Sequence, residues 1–506
     1  MTVQKTSADL YQDYVEKMQK IADVRNAMSV LGWDQETYLP PAGATFRGRQ
    51  LTTLSTIAHE LFADESLGGL LRELGNRTDL SAIQQKNVAL SLEDYEKNRK
   101  YPAAFVAEMS SATNAAYHAW IKARKENNFA VFEPLLAKMV DLKKREADIL
   151  GYTGHPYDAL LNEYERGADV QMLDTIFRDV KNSLLPLLQQ IALRDVPDRK
   201  FLARHYPKDQ QWEFGLGILR SMGYDFNAGR QDVSEHPFTT SFNPRDVRVT
   251  TRIDEQDLGN MTWSCIHEGG HALYEQGLPA EEYGLPCGEA ASLGIHESQS
   301  RLWENNVGRS LIFWQHHYGN LQGIFRSNLL AVPLQNFYKA INLVQPSLIR
   351  TEADELTYHF HVMIRYEIEK GLLDGSLQTK DLRDIWNQYY LDYLQVKVPD
   401  DLRGVLQDIH WSHGSFGYFP TYSLGSFYAA QLYNTAVKQV PGLENAIASG
   451  NYNTLLEWLR NNIHRYGRFY TSNELCEKVT GEKLSFKHFL AYAEKKYGGI
   501  YELNEQ

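Results

Sequence analysis

Cysteine is scarce in this chain: Cys265, Cys287 and Cys476 are the only three in 506 residues. They are too few and too scattered for a disulfide framework or a Cys-rich zinc site. No apolar run approaches the roughly 18 to 20 residues that a membrane span needs. The opening MTVQKTSADLYQDYVEKMQKI has no apolar stretch of the kind a signal peptide carries. Positive charge is also in deficit, with 52 Lys and Arg against 64 Asp and Glu and a net charge of −12. That balance argues against nucleic acid or an anionic membrane as the main partner. Repeats, low-complexity tracts and long linkers are missing too. These absences lead us to expect a cytoplasmic protein with reduced thiols, folded as a single domain over residues 1–506.

The residues present are those of an ordinary globular protein, 43% hydrophobic, 23% charged and 12% aromatic. Thirty tyrosines and nine tryptophans suit the walls of a cleft, although most belong in a core. Apolar positions recur at helical spacing. Leu10, Tyr14, Met18 and Ile21 follow a candidate N-cap at Ser7. Comparable periodicity runs through residues 45–64, 104–128, 132–152, 169–195 and 347–373. One stretch differs: FTTSFNPRDVRVTTRI (Phe238 to Ile253) reads as two short strands about an Asn-Pro turn. The expected class is mainly α, a large helical body with a small antiparallel β element.

The chemistry concentrates in IHEGGHALYEQGL (Ile266 to Leu278). On a helix, His267 and His271 share a face, so both imidazoles can reach one cation. Glu268 stands beside the first histidine. A bound metal acidifies water, and an adjacent carboxylate can take the proton as the water attacks a carbonyl. Gly269 and Gly270 each cost a helix about 1 kcal/mol relative to alanine, which suits a place where another element approaches closely. A catalytic zinc commonly takes three protein ligands. Glu297, in GIHESQSRLWEN, is the first choice for the third, with His296, Glu275 and Glu289 as alternatives.

HEGGH followed by GIHESQSRLWEN resembles the carboxypeptidase Taq family of zinc carboxypeptidases. LGWDQETYLPPAGATFRGRQLTTL, HPFTTSFNPRDVRVTTR, IRTEADELTYH and GVLQDIHWSHGSFGYFPTYSLG are similar to stretches of that family, in the same order, over roughly residues 31 to 425. The resemblance implies a helical fold with a deep groove, like the neurolysin-type peptidases and angiotensin-converting enzyme. It implies a homodimer that releases single C-terminal residues with broad specificity from peptides with a free C-terminus. It also implies His267, His271 and Glu297 as zinc ligands, cobalt as a possible substitute, and Glu268 as general base.

A carboxypeptidase must hold a terminal carboxylate, and an arginine fork does so bidentately. Arg350 is the leading candidate, against a helix-surface ion pair with Glu352 or Asp354. Arg245 and Arg248 are alternatives, although Arg248 could instead pair with Asp246. His236 could meet substrate beside the β element, which could itself pair with an extended peptide. Gln407, Asp408 and His410 could orient substrate or a ligand, and Tyr418 or Tyr422 could donate to a developing oxyanion. The glycines at 404, 414, 417 and 425 suggest a helix end and a mobile loop. WDQETYLPPAG reads as a structural turn, with residues 1–75 roofing the groove, and Cys265 as a small buried residue. The rival reading is a zinc oligopeptidase that cuts internal bonds.

Overall fold

The computed structural model describes residues 5–503. Its first helix, Ser7–Thr37, is capped one residue earlier than expected. The Thr6 side chain accepts from the Asp9 N–H while the Asp9 carboxylate accepts from the Thr6 N–H, a reciprocal capping box. WDQETYLPPAG ends this helix and opens the next, Ala44–Ala63, through a short turn at Pro41–Gly43. Helices Glu65–Gly75 and Ala82–Arg99 complete an N-terminal group. That group has its own core, with Tyr14, Ile21, Leu67, Leu71 and Tyr95 among its members. A second, much larger core runs from Ala116 to Tyr501.

Specific contacts tie the N-terminal group to the rest. Leu285 joins its core. Asn87 donates to Glu282 at 2.7 Å and accepts from the Cys287 N–H at 2.9 Å. Arg248 stacks on Trp33 at 4.5 Å, and the Tyr38 hydroxyl donates to Asp232.

The sheet has three strands, β1 (Gln231–Val233), β2 (Thr239–Asn243) and β3 (Asp246–Thr251), in the order β1-β3-β2. β2 and β3 form the expected antiparallel hairpin, with Thr239 opposite Val249. β1 runs parallel to β3 and places Gln231 opposite Val249. At three residues it is too short to show an alternating pattern in the sequence.

Two sequence expectations fail here. Residues 347–373 are not one helix: Arg350–Glu352 forms a single turn and the helix begins at Tyr358. Asp354 interrupts it, accepting from the N–H groups of Leu356 and Thr357 at 2.9 and 3.0 Å. The segment around Gly404 to Gly425 is packed rather than loose. Gly414 and Gly417 adopt φ of 72° and 96°, and a Cβ on Gly417 would lie 2.7 Å from the Leu160 carbonyl oxygen. Helix Phe419–Gln439 follows directly, so Tyr418 and Tyr422 sit at a buried helix start. No helix among the described residues is long and apolar enough to cross a membrane.

Candidate metal centre

The motif helix, Leu258–Glu275, starts at Asp257, whose side chain accepts from the Gly259 N–H at 2.8 Å. It packs against a return helix, Leu293–Arg301. Gly270 makes the approach possible: a Cβ there would stand 2.7 Å from the Gln299 carbonyl oxygen and the Ser300 Cα. Gly269 faces the other way, towards Leu219 and Met222.

This crossing brings Nε2 of His267 and of His271 to 3.7 and 3.5 Å from Oε2 of Glu297. The three donor atoms all lie within 4.8 Å of one another. Donors about 2.0–2.2 Å from a tetrahedral metal stand roughly 3.4 Å apart, so the set fits a divalent cation with an open position. The sequence alternatives lie elsewhere. Glu275 is bonded to His296 at 2.8 Å, and the mostly exposed Glu289 stands 3.7 Å from Arg468.

Each of the three candidate ligands has a partner of its own. Nδ1 of His267 meets Glu304 at 2.9 Å, on a π-helical turn spanning Leu302–Gly308. Nδ1 of His271 meets Nδ1 of His296 at 2.6 Å. Arg301 donates to Glu297 at 2.7 Å and to Glu304 at 3.2 Å, and Arg309 also reaches Glu304 at 3.2 Å. Burial pushes the Glu297 carboxyl up, but Arg301 and the two histidines outweigh it and hold the group well below the ordinary carboxylate range. Glu304 is depressed in the same way. Both carboxylates are therefore ionised at neutral pH.

Glu268 is buried beside the ligands and is held from the sheet. The hydroxyl of Thr239, the first residue of β2, lies 2.6 Å from its Oε2. Helix Phe419–Gln439 closes over Glu297 at Gly425, where a Cβ would come within 2.6 Å of the Glu297 side chain.

Arg350 is buried, but not in the helix-surface ion pair weighed above. It bonds Asp408 at 2.9 and 3.1 Å and the Tyr358 hydroxyl at 3.2 Å. Asp408 also accepts from the fully buried Arg365. The Arg350 guanidinium lies 4.9 Å from the Tyr422 ring, and Arg301 stacks on Tyr358 at 4.7 Å, so the arginine and the ligand set share one wall.

His410 bonds the Tyr422 hydroxyl at 3.1 Å, and its ring centroid lies 5.4 Å from that of Tyr418. Gln407 is spent on the protein, accepting from the Arg350 N–H at 2.9 Å and donating to the Leu348 carbonyl at 3.0 Å. Arg248 makes a two-point bond to Asp246 at 2.9 Å, while Arg245 is exposed at the hairpin turn. His236 is exposed in the loop before β2. Cys265 is fully buried and no ligand. The sequence reading missed Thr239, Arg301, Glu304 and Tyr358. All four lie inside motifs it quoted, but nothing in their spacing singles them out.

The profile of a family described as Carboxypeptidase Taq (M32) metallopeptidase matches residues 13–497. The chain is 40% identical over 504 residues to thermostable carboxypeptidase 1 of Thermus thermophilus, covering 97% of this chain and 99% of that relative. It is 37% identical over 494 residues to carboxypeptidase 1 of Bacillus subtilis, covering 97% and 99%. The fold matches a crystal structure of an M32 carboxypeptidase from Deinococcus radiodurans with a TM-score of 0.96 at 40% identity, over 97% of this chain and 99% of that one.

Proposed function

The chain belongs to the carboxypeptidase Taq (M32) family and is a metallocarboxypeptidase, and from that premise we propose that it is a zinc enzyme releasing single C-terminal residues of broad identity from peptides. The observation that carries this reading is the convergence of His267, His271 and Glu297 within 4.8 Å, with Glu268 buried beside them. Zinc suits two imidazoles and one carboxylate, and cobalt is its expected substitute. When bound, the metal supplies a Lewis acid that polarises the scissile carbonyl and acidifies water.

Glu268 takes a proton from the attacking water and delivers it to the leaving amine as the C–N bond breaks, giving a shortened peptide acid and a free amino acid. Arg350, held in orientation by Asp408, binds the terminal carboxylate through the nitrogen that faces Tyr358. Tyr418, Tyr422 and His410 line the place where an oxyanion develops. His236 and the β2 edge would receive an extended peptide, while Arg248 and Gln407 shape the site through the sheet and the Arg350 backbone. The groove itself would be of the neurolysin and angiotensin-converting-enzyme kind, in a cytoplasmic homodimer.

A peptide with a free C-terminus and its amidated twin test the reading. The expected result is stepwise loss of terminal residues from the acid and a reaction roughly 100-fold slower with the amide, which lacks the charge that Arg350 would bind. Equal cleavage of both at internal bonds would overturn the assignment in favour of an oligopeptidase.

A further inference from the structure

We propose that His296 and Glu275 are positioning residues for the metal, forming a hydrogen-bonded relay that fixes His271 from behind, while Glu304 fixes His267 by direct contact. The proposal rests on His267, His271 and Glu297 being the ligand set. Both ligand imidazoles present Nε2 to Glu297, so both Nδ1 atoms point outward. A ligating nitrogen carries no proton, so the one proton of His271 sits on Nδ1. That atom is 2.6 Å from Nδ1 of His296. Two nitrogens at this distance share a single hydrogen, which makes His296 the acceptor. The His296 proton therefore lies on Nε2, aimed at Glu275 Oε1 at 2.8 Å. Every donor in the chain has one acceptor. Moving the His271 proton to Nε2 would block the metal, and a proton on both facing nitrogens would bring two N–H groups into collision.

The relay also crosses between elements. His271 and Glu275 are one turn apart on the motif helix, and His296 precedes Glu297 on the return helix. Holding His296 between them sets the rotation of the His271 ring and ties together the two helices that carry the ligands. The His296 ring is itself confined, 4.5 Å from the ring centroid of His271 and 5.4 Å from that of Tyr274. The partner of His267 is different in kind, a carboxylate bound by Arg301 and Arg309. A histidine backed by a carboxylate is a more basic ligand than one backed by an imidazole. His271 is thus the ligand whose supporting carboxylate, Glu275, stands one imidazole further away.

The test compares wild type, H296A, E275A and E275Q by zinc affinity in chelator competition and by the visible spectrum of the cobalt-loaded proteins. H296A is expected to bind zinc about 10- to 100-fold more weakly, with a shifted cobalt spectrum, as loss of an outer partner does elsewhere. E275Q keeps an oxygen that accepts from His296 and is expected to bind more tightly than E275A, a comparison that serves even if H296A does not fold. Wild-type zinc affinity and an unshifted spectrum in H296A, or equal affinity in E275A and E275Q, would overturn the relay. Wild-type protein that takes up no stoichiometric zinc would instead overturn the ligand set.

Discussion

The proposed general base, Glu268, has to be oriented while keeping one oxygen free for a proton, and it divides those tasks between its two oxygens. Oε2 receives the Thr239 hydroxyl at 2.6 Å, while that hydroxyl also lies 3.0 Å from the Glu268 carbonyl oxygen. One hydrogen serves one acceptor at a time, and the shorter contact is the one to the side-chain oxygen. Losing a bond to a charged group costs about 1.5 kcal/mol, or about tenfold in rate. Thr239→Val is therefore expected to lower kcat about tenfold with zinc content unchanged, and Thr239→Ser to recover most of it, as read by peptide hydrolysis and metal analysis. Glu268→Gln removes the base itself. It should reduce turnover by about 10²- to 10⁴-fold while the protein still binds zinc.

Among the elements, the site depends on how closely three helices pass, and glycines set those distances. A methyl group on Gly270 would meet backbone atoms of the return helix at 2.7 Å, where nothing can swing aside. Gly270→Ala is expected to cost about 1–3 kcal/mol, visible as a lower melting temperature. At Gly269 the nearest atoms are the flexible ends of Leu219 and Met222, so the same substitution should cost less. Gly425 presses on the Glu297 side chain itself. Gly425→Ala should weaken zinc binding in chelator competition by more than it lowers the melting temperature. The glycines inside HEGGH advertise their role because a helix gains nothing from them. Gly425 is also inside a helix, Phe419–Gln439, but the sequence there reads as a mobile loop and its partner Glu297 lies more than a hundred residues away.

Across the whole molecule, buried titratable groups predict how stability responds to acid. Burial holds His317, His359, His410 and His464 down to about 3. Below pH 6.5 the unfolded chain protonates these histidines and the folded one does not, so each favours unfolding by up to about 1.4 kcal/mol per pH unit. Burial raises Glu165 and Glu369 to about 7. These bind protons in the folded state first and oppose the trend between about pH 7 and their unfolded value near 4.5. These four histidines, joined by His361, which burial depresses in the same way, outweigh the carboxyls that burial raises, Asp354 and Glu367 included. Melting temperature is expected to fall from pH 7 to pH 5, as thermal unfolding followed by circular dichroism would measure.

The sequence by itself determined the helical class, the β2–β3 hairpin and the shared face of His267 and His271, because each follows from spacing along a few neighbouring residues. It singled out Glu297 and Arg350 from chemistry and from likeness to a family. Only the tertiary structure decided what those groups are bound to. Thr239 reaches Glu268 from a strand, Glu304 and His296 back the two histidines, and Asp408 is shared by Arg350 and Arg365. Such pairings depend on which helices cross and how near they come. Backbone clearance and packing between distant segments set those crossings, and no local period records them.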